Sequence, residues 1–172
     1  MKKTLIIAGF AGIGKTTLAK KYKNVVDIES SPYKWDYSNM DTRDVEKLKG
    51  LPDRKINEKF PENYIQAIKE AASKYDIVCA WIHPEEILPI YDKNNIDYVL
   101  AFPSKEALTE YKQRFLQRGN NNEYINKVLS TYDKRFKQFM SSRHEKFILE
   151  YGETLEDKLI KEGYVLIKKG FN

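Results

Sequence analysis

Gly9-Phe10-Ala11-Gly12-Ile13-Gly14-Lys15-Thr16 fits the pattern G-x-x-x-x-G-K-[ST], and its flanks fit as well. The apolar run Leu5-Ile6-Ile7-Ala8 precedes it, and the helix-compatible run Thr17-Leu18-Ala19-Lys20-Lys21 follows. Strand, glycine loop and helix in that order are what a phosphate cradle needs. The glycines let the backbone curl and turn its N–H groups inward, and the helix aims its positive end at the same point. Gly9, Ala11, Gly12, Ile13, Gly14 and Thr17 are expected in the cradle. Lys15 is placed to reach the β- and γ-phosphates, and Thr16 to offer its hydroxyl to Mg²⁺. ATP and Mg²⁺ are the expected cofactors.

Outward from that loop, strands alternate with helical patterns. Strands are expected at 4–8, 25–29, 76–82, 96–102, 146–149 and 164–167. Helices are expected at 15–23, 61–72, 84–88, 105–117, 122–142 and 154–162. This alternation implies an α/β, three-layer architecture: a mainly parallel sheet with helices on both faces. Right-handed crossovers then gather the strand-to-helix loops at one sheet edge, where ligands bind. The phosphate loop, Asp27 with Glu29, and Trp81–His83 should converge there.

The chain has 172 residues, which suits one domain spanning 1–172. The pattern weakens over 30–60, where a short helix at 41–49 fits before Gly50 and Pro52; such a long connection reads as a substrate-side insertion. No apolar run approaches the ~18 residues of a membrane span. Cys79, the single cysteine, stands in an apolar run and reads as a core residue, so a reducing, cytoplasmic setting is the default. The net charge of +5 is concentrated: 112–146 holds nine basic and three acidic residues, +6, which leaves −1 for the remainder. That segment suits an anionic partner, nucleotide phosphates before nucleic acid.

Several side chains are candidates for chemistry. No N-K-x-D guanine signature is present, and no apolar run ends in the Asp of a typical Walker B strand. Asp27 and Glu29 are the nearest acids to hold metal-bound water or orient an acceptor; Glu29 is favoured, as the closer of the two to the strand end. Both also fit plain strand-end surface acids. Arg114 and Arg118, four apart before a Gly-Asn break, suit neutralisation of a transferring phosphoryl group by a closing lid over 114–124, with Lys134 and Arg135 adding to the clamp. Tyr33, Trp35, Tyr37, Phe60 and Tyr64 offer faces for a base, or pin the insertion to the body. His83 is placed to touch substrate or to cap the turn after its strand.

The chain resembles the adenylate-kinase-like nucleoside monophosphate kinases, and within them short bacterial and phage P-loop kinases. The resemblance rests on the Gly9–Thr16 loop, on Asp27-Ile28-Glu29-Ser30-Ser31, on Phe60-Pro61-Glu62-Asn63-Tyr64-Ile65, on Arg114-Phe115-Leu116-Gln117-Arg118-Gly119-Asn120, and on Gly152-Glu153-Thr154-Leu155. It implies a five-stranded parallel core, an Arg-bearing lid and phosphoryl transfer from ATP to a small acceptor, a (deoxy)nucleoside monophosphate. Lys15, Glu29, Arg114 and Arg118 would be catalytic; Asp27, Glu29, Tyr33, Tyr64 and His83 would meet the acceptor. The D-G-x-P-R strand end of true adenylate kinases is replaced by Ala80-Trp81-Ile82-His83, so an adenylate acceptor is not implied. The alternative from a different class is a nucleotide-binding ATPase or switch acting on a protein or nucleic-acid partner.

Overall fold

A computed structural model describes residues 3–38 and 54–170. Its centre is a parallel sheet of β1 (Leu5–Gly9), β2 (Val25–Asp27), β5 (Ile77–Trp81), β6 (Val99–Pro103) and β7 (Lys146–Leu149), in the spatial order β2-β5-β1-β6-β7. A two-stranded ribbon, β3 (Trp35–Asp36) with antiparallel β4 (Lys55–Ile56), stands beside it. The helices are α1 (Lys15–Lys21), α2 (Ser31–Lys34), α3 (Glu62–Ala72), α4 (Leu88–Lys93), α5 (Leu108–Gln117), α6 (Asn122–Ser130), α7 (Tyr132–Ser141) and α8 (Leu155–Lys161). No described helix is long and apolar enough to cross a membrane.

The strand order follows from burial. The central strands are nearly all apolar, and Ile7, Ala8, Val78, Cys79, Ala80, Leu100, Ala101 and Phe102 have no exposed surface. Strands buried on both faces need helices on both faces. β1 lies in the middle, so the loop leaving its carboxyl end emerges between β5 and β6, at the point where the winding of the sheet reverses. The register sets Gly9 beside Trp81 and Asp27 beside Cys79, which brings the phosphate loop and the end of β2 to the same edge.

Several sequence expectations are corrected. The single helix expected over 122–142 is two, broken at Thr131, whose hydroxyl donates to the carbonyls of Lys127 and Val128 and competes with the helix ladder. The helix expected at 84–88 is a turn; the helix starts later, at Leu88-Pro89, after the His83 carbonyl has accepted from the N–H groups of Ile87 and Leu88. The helix expected from 105 begins at Leu108, behind a turn in which the Ser104 hydroxyl accepts from the Ala107 N–H. The strand expected at 164–167 is absent. That segment hangs on the buried Asn24 side chain, which donates to the Val165 carbonyl and accepts from the Ile167 N–H, and it contributes one isolated bridge, Tyr22 to Lys168. The helix expected at 41–49 lies outside the described residues, as do residues 39–53 of the 30–60 insertion.

Tyr64 joins the two strands that flank the site. It is fully buried, its hydroxyl donates to the Ile28 carbonyl at 2.9 Å, and it accepts from the Trp81 N–H at 2.8 Å. The substrate contact expected of Tyr64 is therefore corrected: no surface is left for a ligand. Tyr64→Phe orphans a buried backbone donor and acceptor, so urea unfolding should show a loss of about 1–3 kcal/mol. A loss below about 0.5 kcal/mol would mean that the hydroxyl is not needed there.

Candidate functional site

The loop after β1 forms a curl of unpaired amides. Phe10 N–H donates to the Ala101 carbonyl, and the Ile13 carbonyl accepts from the Leu155 N–H, which fixes the curl from outside. The N–H groups of Gly12, Ile13, Gly14, Lys15 and Thr16 meet no acceptor among the described residues. Five successive unpaired donors on a bent backbone make an anion-binding concavity. The sequence permits the bend at two points. Gly14 has φ 102°, in the left-handed region that L side chains avoid. A Cβ on Gly9 would lie 2.8 Å from both Ile13 Cδ1 and Lys15 Cδ, so those side chains would have to shift to admit it. Ile13 turns its side chain into the core; Ala11 and Thr17 lie partly and fully on the surface.

Lys15 folds back over the loop and donates to the carbonyls of Gly9 and Phe10, both at 2.9 Å. Burial pushes its ammonium pKa down, and the Asp27 carboxylate opposes that shift. The Thr16 hydroxyl donates to Asp27 Oδ2 at 2.7 Å. The other carboxylate oxygen, Oδ1, is buried without a partner. Burial raises the Asp27 pKa, opposed by Lys15 and by the Thr16 hydrogen bond. The structure thus places Asp27 rather than Glu29 against the threonine. Glu29 is exposed, two residues farther on, and lines with Thr16 and Asp27 a groove of about 320 Å³ along the free edge of β2.

The fit to Mg²⁺ can be judged from these atoms. No group of three or more His, Cys, Asp or Glu that could hold a metal exists among the described residues. Mg²⁺ does not need one: it takes one or two protein oxygens and completes its shell with water and phosphate. The Thr16 hydroxyl and the unpartnered Asp27 Oδ1 are hard oxygen donors of that kind, so the residues fit.

The two arginines separate. Arg114 donates to the carbonyls of Gly12 and Glu153, pairs with Glu110 at 3.0 Å and lies over the Tyr111 ring at 4.6 Å. It fastens α5 and the Gly152–Leu155 turn to the outside of the loop. Arg118 is exposed at the end of α5, with no hydrogen bond or ion pair among the described residues, and its charge is felt by both Lys15 and Asp27. Residues 114–124 form a helix end, a turn at Gly119 and the start of α6, capped by Asn121.

Beyond β5 lies a second group. His83 Nδ1 accepts from the Glu86 N–H, which makes it a cap for the turn, and burial lowers its pKa. Lys34 pairs with Glu86 and sits 4.7 Å from the centre of the Trp81 ring. Lys34 and Arg54 lie 5.3 Å and 4.3 Å from the Trp35 ring centre. Tyr33 packs on Tyr64 at 5.5 Å and pins the insertion; the Tyr37 hydroxyl is engaged with Ser31. Lys34 carries no motif, so sequence reading missed it; Lys34 adjoining Trp35 was the one available hint. Within the basic segment, Arg114, Lys134 and Lys146 are engaged internally, which thins the charge offered to a polyanion.

No family model matches the chain, and no curated protein matches it.

The raised Asp27 pKa has a definite sign. A carboxyl whose folded pKa lies above its unfolded value stabilises the fold at low pH, and that contribution is lost as pH rises through the folded value. Asp27→Asn cannot ionise, so its stability relative to the wild type should improve as pH rises above about 4, read from thermal unfolding at each pH. A flat difference would show that Asp27 is not held in a desolvated position.

Proposed function

We propose that the chain transfers a phosphoryl group from ATP to a small acceptor, most simply a (deoxy)nucleoside monophosphate. The observation that carries the reading is the Thr16–Asp27 hydrogen bond with Asp27 Oδ1 buried and unpartnered beside an unpaired amide curl. A glycine turn with no ligand has no use for a buried half-satisfied carboxylate, which destabilises the fold.

In this reading the Gly12–Thr16 amides bind the triphosphate tail. Lys15 leaves the Gly9 and Phe10 carbonyls for phosphate oxygens, because a charged acceptor makes the stronger bond. Thr16 and Asp27 would hold Mg²⁺, which would supply charge neutralisation for the phosphates. Glu29, at the rim of the groove, orients the acceptor. Arg118 offsets charge on the transferring group, and its exposed side chain, which meets no partner among the described residues, can reach inward. The work is placement and charge compensation, which suffices for phosphoryl transfer. The open sheet, with its central first strand, and the resemblance set out above support the same reading; the basic segment 112–146 motivates the switch, but Arg114, Lys134 and Lys146 in it are engaged internally.

ATP turnover should be screened against the common nucleoside monophosphates and nucleosides, with Lys15→Ala as the control. At least one acceptor should raise turnover well above the control. Turnover indifferent to every acceptor would reject the kinase reading. With that acceptor, Arg118→Ala should lower turnover at least about tenfold while leaving ATP affinity within about twofold, the pattern of an interaction made in the transition state. Unchanged turnover would remove Arg118 from the mechanism.

A further inference from the structure

The direction of each amide in the phosphate loop is set by what holds the carbonyl before it. A trans peptide sets its C=O and its N–H on opposite sides. A group that grips the carbonyl of one residue therefore aims the N–H of the next. The Gly14 carbonyl accepts from the Leu18 N–H in the first turn of α1, and that aims the Lys15 amide. The Ile13 carbonyl accepts from the Leu155 N–H at 3.0 Å, and that aims the Gly14 amide. The Gly12 carbonyl has one partner among the described residues, the Arg114 guanidinium, which donates from Nη1 at 3.2 Å. The Ile13 amide takes its direction from that bond.

Arg114 is itself held. Its Nη2 donates to Glu110 Oε1 at 3.0 Å and to the Glu153 carbonyl at 3.4 Å. Glu110 is shared, because both of its carboxylate oxygens accept from the Gly152 N–H at 3.2 Å. The turn that carries Gly152 and Glu153 leads into Leu155, which grips Ile13. These bonds close a ring through the loop, one side of α5 and the Gly152–Leu155 turn. The Arg114 and Glu110 side chains are 23% and 16% exposed, so the pair is held more firmly than one on the open surface. α5 also lies close against the loop: a Cβ on Gly12 would meet Phe115 Cε1 at 3.2 Å and Tyr111 Cδ1 at 3.4 Å.

Charge and direction both set Arg114 apart from a phosphate ligand. It already has three acceptors, the Gly12 and Glu153 carbonyls and Glu110, and the Glu110 carboxylate cancels its charge. Its bond to Gly12 is made on the side of the peptide opposite the Ile13 N–H. Arg114 is turned to the back of the cradle and not to its mouth.

We infer that Arg114 and Glu110 are positioning residues: together they hold the Gly12–Ile13 and Ile13–Gly14 peptides in the orientation that receives a triphosphate, and neither touches it. This differs from the phosphate contact that the resemblance implies for Arg114. It rests on the triphosphate reading of the loop given above. The sign of one substitution separates aiming from attraction. Glu110→Ala deletes a negative charge beside a polyanion site and releases Arg114. If Arg114 drew phosphate by its charge, that change would tighten ATP binding. If Arg114 aims the peptides, the same change weakens ATP binding, because the loop is no longer preorganised.

Calorimetry of ATP with magnesium should show Glu110→Ala and Arg114→Gln each binding at least about fivefold more weakly than the wild type. Arg114→Lys keeps the charge but loses the fork that bridges three acceptors, so its affinity should fall within about twofold of Arg114→Gln. Amide-detected NMR of the ligand-free protein supplies the second reading. In Glu110→Ala the Ile13 and Gly14 amide signals should shift or broaden, while those of Val78 and Leu100, in the buried sheet, stay in place. If the sheet signals move as well, Arg114→Lys decides, since attraction predicts affinity near that of the wild type and positioning predicts the loss. The inference is overturned if Glu110→Ala binds ATP as tightly as the wild type or more tightly, if Arg114→Lys keeps wild-type affinity, or if the Ile13 and Gly14 signals do not change. Failure of the wild type to bind ATP would instead sink the kinase reading, and the amide signals would still test the bracket, so the two failures are distinguishable.

Discussion

One hydrogen bond, from the Thr16 hydroxyl to Asp27 Oδ2, joins the two ends of the candidate site across the sheet. Thr16 stands on the helix after β1 and Asp27 on the last residue of β2, with β5 between the two strands. The bond can form only because the register aligns Asp27 with Cys79 and Gly9 with Trp81, so that both strands end at one level. Tyr64 secures the same alignment from below by linking Ile28 to Trp81. The loop, the acid and the groove along β2 are consequences of that parallel register.

The same arrangement holds opposite charges in desolvated positions. Burial lowers the pKa of Lys15 and raises that of Asp27, and each opposes the other's shift. Such groups do not stabilise a fold as well as apolar ones in their place. Their persistence beside an amide curl with five unpaired donors is the strain expected of a site built to receive a charged ligand. In the proposed reading a polyanion with a divalent cation would meet both demands together: phosphate oxygens would satisfy the lysine and the amides, and the cation the carboxylate.

Much of the fold was legible because its signals are local. Apolar runs ended by Gly9, by His83-Pro84 and by Pro103 marked β1, β5 and β6. Helix ends were less so. The break at Thr131 depends on a hydroxyl choosing backbone carbonyls over solvent, and the late start of α4 depends on His83. The 164–167 segment reads as a strand by composition, yet Asn24, more than a hundred residues away, takes the hydrogen bonds a neighbouring strand would have supplied. In the site, the glycines, Lys15 and Thr16 were readable from spacing. That Asp27 and not Glu29 meets Thr16, and that Arg114 is bound to Gly12, Glu110 and Glu153 while Arg118 is exposed, was not, because both depend on which side chain a distant element already occupies.

The account stands on the curl of amides and Lys15 accepting a triphosphate tail with Mg²⁺ at Thr16 and Asp27. Calorimetric titration of ATP into the wild-type chain, with magnesium and then with excess chelator, measures this directly. The account predicts one site whose affinity falls at least about tenfold without magnesium and falls again in Lys15→Ala. Failure of both ATP and GTP to bind in the presence of magnesium, or ATP binding that Lys15→Ala leaves untouched, would contradict it.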